Sequence, residues 1–256
     1  MSPIIIACIG GLRSGSTMQF GYVRKVLEAS GNSYRNMSYV ACEDWNQIVE
    51  AATEQHDYVI FKSHDVEILE KLVDLDRVKP IYIQRDIRDV YCSMKEKWNV
   101  NVDHIESIVE QDRQNYQRLR GRSEILFQVY EEFWESKERG IDEIQNYLNL
   151  RLDAQALKQV IHEEHAPDNL GARVFRVAKQ ISRKTQNLPI FNSDRIQPLK
   201  RKVYEFLIRK SVDPETQIHP DHFSKRKGAP GAWTEMLDDS EREAFEENGV
   251  SCHIEL

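Results

Sequence analysis

The sequence predicts an α/β fold in which a central parallel sheet is flanked by helices. Short apolar runs rich in Ile, Val, Phe and Tyr alternate with longer segments of helical spacing, which is typical of strands buried between two helical layers. The predicted strands are 4–9, 58–61, 80–84 and 125–130. With 256 residues, no internal repeat and no long Pro/Gly/Ser-rich linker, we expect a single domain over 1–256.

The helices are predicted from apolar residues at helical spacing and from capping residues at their ends. The segments are 17–30, ended by Gly31; 45–53, after the acidic pair Glu43–Asp44; 102–119; 141–150; and a short helix that Ser240 and Glu243 would cap and Gly249 would end. Because strands alternate with helices along the chain, we expect a parallel sheet that is covered on both faces.

Composition excludes several classes of partner. The chain has 35 Lys and Arg against 42 Asp and Glu, a net charge of −7, so nucleic acids and anionic membranes are poor candidates. The apolar run at 4–9 is too short to cross a bilayer and lacks a basic segment before it, so we expect a cytoplasmic protein. No CxxC spacing occurs, which favours buried reduced thiols over zinc ligands or disulfides for Cys8, Cys42, Cys92 and Cys252.

The Gly-rich segment 10–17 joins the first predicted strand to the first helix, in a P-loop-like arrangement. Backbone N–H groups and the helix dipole at such a turn can bind a phosphate-sized anion. The segment nearly matches GxxxxGK(S/T) through Gly10, Gly15 and Thr17, but Ser16 occupies the lysine position and the cation is Arg13. Hydrolysis of ATP or GTP is therefore disfavoured, and a plain Gly-rich turn remains an alternative.

Lys62 and His64 end the second predicted strand. Because strand side chains alternate, both lie on one face at the carboxyl edge of the sheet, where ligands of open α/β sheets bind. The imidazole can accept a proton near neutral pH and the ammonium can stabilise developing negative charge. A solvated pair of loop residues is the alternative.

Two further basic segments are candidates for anion binding. Arg85 ends the third predicted strand, a helix is expected to begin near Asp86, and Ser93 lies within that helix. Arg85, Asp86, Arg88 and Asp89 as exposed ion pairs are the alternative. Near the end of the chain, Arg226 and Lys227 precede Gly228 in a loop whose backbone can wrap an anion.

Taken together and in this order, these segments resemble the cytosolic-type sulfotransferase family. Its members transfer a sulfonate from 3′-phosphoadenosine 5′-phosphosulfate (PAPS) to an acceptor hydroxyl or amine. The family's K/R-S-G-T-T-W element matches Arg13-Ser14-Gly15-Ser16-Thr17-Met18, and its K-x-H element matches Lys62-Ser63-His64. Its R-x7-S element matches Arg85 with Ser93, and its strand that ends in YEdL is similar to the run 125–133. Its RKGxxGDW element matches Arg226-Lys227-Gly228 with Gly231 and Trp233.

The resemblance implies a role for each matched residue. His64 would be the general base, with Lys62 and Arg13 stabilising the transferring group. No metal would be required. The nucleotide would contact Arg13, Ser14, Gly15, Ser16, Thr17, Met18, Arg85, Ser93, Arg226, Lys227 and Gly228. The last five of these would surround the 3′-phosphate. Met18 stands where many members have a tryptophan that stacks on adenine.

Other departures limit what the resemblance implies. Arg13 replaces the usual lysine and cannot donate a proton to the leaving group, and Ala232 replaces an aspartate in the last loop. No match to the family's dimerisation motif is found, so no oligomeric state is predicted. The alternative functions are a P-loop nucleotide kinase-like phosphotransferase and a binding protein that keeps the nucleotide site without catalysis.

The acceptor is not predicted beyond a small molecule, lipid or carbohydrate. The segments expected to form its pocket are 33–54, 98–104 and the basic stretch 173–210. Four aromatic residues there and nearby could line the pocket, although such residues more often belong to the core: Trp45, Trp98, Phe133 and Trp134.

Overall fold

The computed structural model describes residues 2–72, 75, 77–161 and 228–252, all of which belong to one compact unit. The basic stretch 173–210 and the site candidates Arg226 and Lys227 lie outside the described residues. The single domain over 1–256 therefore stays a prediction.

The described strands form one parallel sheet, as the alternating pattern predicted. They are β1 (Ile4–Ile9), β2 (Tyr34–Tyr39), β3 (Tyr58–Ser63), β4 (Val78–Gln84) and β5 (Leu126–Val129), in the order β2-β3-β1-β4-β5. Every neighbouring pair is parallel. β1 is central, so the carboxyl ends of β1, β3 and β4 meet at one edge of the sheet and bring the segments that follow them together.

Ten helices lie in the part of the chain that the structure describes. They are α1 (Ser16–Ala29), α2 (Asn46–Ala51), α3 (Ile68–Lys71), α4 (Ile87–Trp98), α5 (Ile105–Leu119), α6 (Tyr130–Glu135), α7 (Lys137–Leu148), α8 (Ala154–Ile161), α9 (Trp233–Met236) and α10 (Asp239–Glu247). Short 3-10 turns at Cys42–Asp44 and Val102–His104 precede α2 and α5. The acidic pair Glu43–Asp44 therefore belongs to a 3-10 turn rather than to the helix it was expected to begin.

Both faces of the sheet are covered because its central strands are apolar at successive positions. Ile5, Ala7 and Ile9 pack with residues of α2 and α3 on one face. Ile6 and Cys8 pack with residues of α1, α6 and α7 on the other. A third apolar cluster joins α9 and α10 to α4 and α5, and so holds the segment from Gly228 onward beside the end of β4.

Two expectations from the sequence are wrong. Residues 34–39, for which no strand was predicted, form the edge strand β2. It was missed because none of its residues is fully buried and the strands were predicted from continuous apolar runs. The capping box of α10 is Asp238 with Glu241, two residues before the expected pair Ser240 and Glu243. The earlier box forms because Glu241 is buried and also accepts hydrogen bonds from Tyr91 and Lys95.

The four cysteines are free thiols. Three are buried and Cys42 is partly buried, and burial raises the pKa of Cys92 to about 12, which makes that thiol unreactive. Among the described residues, the helices are too short or too polar for any of them to cross a membrane.

Candidate active site

The loop between β1 and α1 is a tight turn with two left-handed residues, Arg13 (φ 66°) and Gly15 (φ 99°). Glycine is required at position 15 for a second reason: a Cβ there would lie 2.3 Å from Cδ2 of Tyr130. The hydroxyl of Ser14 is buried and has no hydrogen-bond partner among the described residues. A buried donor without a partner at the start of a long helix is suited to receive an anionic ligand.

Lys62 lies at the end of β3 with only 7% of its surface exposed, so it is not the solvated residue of the alternative interpretation. Its Nζ donates a hydrogen bond of 2.7 Å to Oγ1 of Thr17 in the first turn of α1. Burial lowers the pKa of Lys62 to about 8, and the positive charges of Lys97 and Arg13 act in the same direction. Lys62 is therefore still a cation at neutral pH and lies against the anion-binding loop.

His64 follows β3, and its Nδ1 lies 2.8 Å from the carbonyl oxygen of Gly10. Because a carbonyl only accepts, Nδ1 carries the proton, and Nε2 of the neutral ring keeps its lone pair. Burial lowers the pKa of His64 below 6.5, although the bond to Gly10 opposes this effect. At pH 7 the ring is neutral, and Nε2 can accept a proton.

Tyr39 contacts His64, which the sequence analysis missed. The two ring centroids are 5.4 Å apart, and Tyr39 remains 46% exposed. A β-bulge in β2 places it there: pairing with β3 shifts register between Asn36 and Tyr39, and Ser38 is left-handed at φ 59°. The bulge therefore brings an exposed aromatic ring beside the candidate base.

Arg13 and Arg85 lie together at the adjoining part of the sheet edge. Nε of Arg13 donates to Oγ of Ser93 (2.9 Å), and Nη1 of Arg85 donates to the carbonyl oxygen of Arg13 (3.3 Å). Ser93 thus contacts Arg13 rather than Arg85, the residue with which it was expected to bind a phosphate. Nε of Arg85 is buried and has no hydrogen-bond partner among the described residues.

Gly228 is hydrogen-bonded to both Arg85 and Tyr130. Its carbonyl oxygen accepts hydrogen bonds from Nη2 of Arg85 (3.2 Å) and from Oη of Tyr130 (2.8 Å). The guanidinium of Arg85 also stacks 4.4 Å above the Tyr130 ring. The loop that begins at Gly228 is therefore held against the arginine at the end of β4.

Asp89 is a further residue that the sequence analysis did not place at the site. Its carboxylate is 1% exposed and 3.7 Å from Nη2 of Arg85, so these two residues are not the exposed ion pair of the alternative interpretation. Asp86 and Arg88 do pair, and Asp86 caps α4 as expected. The i,i+4 spacing of Arg85 and Asp89 was the available signal.

The aromatic residues considered for the acceptor pocket, and Met18, lie in several different environments. Phe133 is buried in the core, Trp45 and Met18 pack partly buried against apolar clusters, and Trp98 is 46% exposed. Trp134 stacks on Tyr130 at 6.0 Å between ring centroids. Among the four aromatics, Trp134 therefore contacts a residue described above as part of the site.

The donors at this edge suit a ligand that carries two anionic groups. Lys62, Ser14 and the start of α1 lie around one position, and Arg85 with the Gly228 loop lies around another. The unpartnered Ser14 hydroxyl and Arg85 Nε supply one buried donor to each. A nucleotide with separate 5′ and 3′ anionic groups fits this donor set.

Comparison with known proteins identifies similar folds but no similar sequence: no family model and no curated protein matches the chain. Mouse sulfotransferase SULT7A1 complexed with PAP matches 96% of this chain and 82% of its own, with a TM-score of 0.57 and 13% identity. Retinol dehydratase in complex with androsterone and the inactive cofactor PAP matches 100% of this chain and 84% of its own, with a TM-score of 0.54 and 14% identity.

A retinol dehydratase complex with retinol and PAP matches 97% of this chain and 82% of its own, with a TM-score of 0.55 and 16% identity. At such identities the likeness concerns the fold. The chain therefore has the sulfotransferase fold, as its resemblance to that family predicted.

Proposed function

We propose that this protein is a sulfotransferase that moves a sulfonate group from PAPS to an acceptor hydroxyl or amine and releases 3′,5′-ADP. The observation that carries the proposal is the placement of His64 and Lys62 on either side of one anion-binding loop. His64 is bonded to Gly10 at its start and Lys62 to Thr17 at its end. A base and a cation in this arrangement are what transfer of an anionic group to a hydroxyl requires.

Each residue of the site then has a chemical task. PAPS supplies the sulfonate, whose bond to the 5′-phosphate oxygen breaks as a bond to the acceptor oxygen forms. His64 takes the acceptor proton at Nε2. Lys62 and Arg13, with the backbone from Ser14 to Thr17, stabilise negative charge on the transferring and departing groups.

The 3′-phosphate is the natural ligand for the second group of donors. Arg85 supplies the buried guanidinium, Gly228 shapes the loop, and Arg226 and Lys227 directly precede Gly228 in the sequence. Ser93 contributes by orienting Arg13. In support, all three comparison structures contain PAP, a nucleotide with this pair of anionic groups.

A nucleotide kinase is the second candidate function, and one contact argues against it. In P-loop kinases the hydroxyl that follows the lysine position binds Mg²⁺. Here that hydroxyl belongs to Thr17 and lies 2.7 Å from the Lys62 ammonium, which would repel a metal ion. Ser16, in the lysine position, is buried and supplies no cation.

For the acceptor we propose a small molecule with an apolar or aromatic surface. The exposed ring of Tyr39 lies beside His64, where such a surface would approach the base. Two comparison structures contain androsterone and retinol, which are ligands of this kind. Lipids and carbohydrates, which also present hydroxyl groups, belong in the same test.

The experiment is a turnover assay of the purified full chain with PAPS and a panel of phenols, aliphatic alcohols, sterols, sugars and lipids. Formation of 3′,5′-ADP that depends on acceptor and persists with a metal chelator is the expected result. A parallel reaction receives ATP and Mg²⁺ in place of PAPS. Phosphoryl transfer there, without sulfonate transfer from PAPS, would establish the kinase instead.

A further inference from the structure

The carboxylate of Asp89 connects the first turn of α4 to the loop that begins at Gly228. Oδ2 accepts a hydrogen bond from the backbone N–H of Gly231 (2.7 Å), and Oδ1 accepts one from the N–H of Trp233 (3.0 Å). The donors lie more than 140 positions further along the chain than the acceptor. Because the carboxylate is only 1% exposed, these bonds are what compensate its loss of water.

The same carboxylate also faces Arg85. Oδ2 is 3.7 Å from Nη2, and that nitrogen donates to the carbonyl oxygen of Gly228. Arg85 is thus held by Asp89 in the helix that follows it, by the loop through Gly228, and by the carbonyl of Arg13. Its buried Nε remains without a partner among the described residues.

We propose that Asp89 is a positioning residue for recognition of the nucleotide's 3′-phosphate, an inference that rests on the proposed function. Asp89 does not touch the nucleotide. It sets the orientation of Arg85 and the position of the Gly228–Trp233 loop, so that guanidinium and loop face one phosphate together. Its loss weakens binding of nucleotides that carry a 3′-phosphate and leaves the chemical step at His64 unchanged.

Asp89→Asn is the first test variant, because it preserves the size of the side chain. One oxygen still accepts a backbone N–H, whereas the new amide places a donor against the other N–H and removes the charge beside Arg85. The matched control is Asp86→Asn, three residues earlier at the N-terminus of α4. It also removes one negative charge, and asparagine caps a helix as well as aspartate.

Calorimetry on the full chain compares 3′,5′-ADP with adenosine 5′-monophosphate, which lacks the 3′-phosphate. For Asp89→Asn we expect the affinity for 3′,5′-ADP to fall about 10- to 100-fold, as expected when a charged hydrogen-bond partner is lost. Affinity for the monophosphate, kcat and the control variant should all stay within about threefold of the parent protein. The KM for PAPS should rise with the loss of 3′,5′-ADP affinity.

If Asp89 had a purely structural role, Asp89→Asn would lower the affinity for both nucleotides by the same factor. That outcome would overturn the proposal. Unchanged affinity for 3′,5′-ADP would overturn it as well. Thermal unfolding of each variant is measured alongside, with Asp89→Glu as a second variant that keeps the charge but displaces the carboxylate. Its selectivity for 3′,5′-ADP should also fall. If neither variant folds, Asp89 serves stability and the proposal is wrong. Failure of the parent protein to bind 3′,5′-ADP would instead overturn the proposed function itself.

Discussion

Nδ1 of His64 is hydrogen-bonded at 2.8 Å to the carbonyl oxygen of Gly10, so the residue that follows β3 is oriented by the residue that follows β1. The two strands are parallel neighbours, and Gly10 also donates its N–H to the carbonyl of Ser63. The tautomer of His64 is therefore determined by backbone geometry, which leaves the lone pair on Nε2.

Replacement of His64 by asparagine should separate binding from catalysis. The asparagine amide can still donate to the Gly10 carbonyl, but the side chain has no basic nitrogen. We expect kcat for sulfonate transfer to fall by about 10²- to 10⁴-fold, the usual contribution of a general base. Calorimetry should show 3′,5′-ADP binding like that of the parent protein. Equal turnover by the variant and the parent would rule out His64 as the base.

The pH dependence of kcat/KM should be bell-shaped. His64 must be neutral to accept a proton, and its pKa is lowered below 6.5, so activity is lost only as pH falls below that value. Lys62 must be charged, and its pKa is lowered to about 8, so activity declines as pH rises through 8.

Lys62→Arg tests the alkaline limb, because a guanidinium stays charged over this range. The variant should be less active at pH 7 yet lose its decline near pH 8. Values of kcat/KM for PAPS, measured from pH 5 to 10 for the variant and the parent protein, decide this. An alkaline limb unchanged by the substitution would show that another group causes it.

Substitution of Gly15 by alanine should be far more harmful than the same change at Gly31. Both residues have positive φ, 99° and 72°, but only at position 15 would the new Cβ meet the Tyr130 ring, while at position 31 nothing lies within 4 Å. We expect Gly31→Ala to lower the free energy of unfolding by about 1 kcal/mol, from backbone strain alone. Gly15→Ala should cost about 3 kcal/mol through added overpacking, and should weaken 3′,5′-ADP binding. Denaturant unfolding of both variants measures the difference; equal costs would contradict the close contact.

The buried amide pair Gln19 and Gln128 should respond asymmetrically to removal. Nε2 of Gln19 donates to Oε1 of Gln128, whose own Nε2 donates to the carbonyl of Gly140 and to Glu143. Gln128→Leu leaves the amide of Gln19 without its partner and removes the bonds to Gly140 and Glu143, at a cost of about 3 kcal/mol. Gln19→Leu leaves one acceptor unpaired and removes Oε1 of Gln19, which already has no partner among the described residues, so its cost is about 1 kcal/mol.

Gln114→Leu on the exposed side of α5 is the matched control for this pair. Its amide donates to Glu110 at the surface, and the change should stay within about 0.5 kcal/mol. Chemical denaturation of the three variants should rank Gln128 above Gln19 and Gln19 above Gln114. A larger loss for Gln19 than for Gln128 would contradict the hydrogen-bond assignment.

Much of the fold could be predicted because central parallel strands are buried on both faces and are therefore continuously apolar. The run Ile4–Ile9 coincides with β1, and three other runs overlap β3, β4 and β5. The edge strand β2 could not be found this way. It pairs with β3 along one edge, and its residues are partly polar and incompletely buried, so it has no continuous apolar run. Capping residues located the start of α10 only to within two residues, because Asp238 with Glu241 and Ser240 with Glu243 both have the spacing of a capping box.

The sequence by itself determined that Arg13, Lys62, His64 and Arg85 lie at one edge of a sheet, because each lies at or after the end of a strand and parallel strands end on the same side. The tertiary structure alone decided their partners. Ser93 bonds to Arg13, Asp89 holds the loop at Gly231 and Trp233, and a bulge places Tyr39 beside His64. Such contacts depend on how α4, the last loop and the edge strand pack, and packing joins residues whose separation along the chain leaves no local pattern to read.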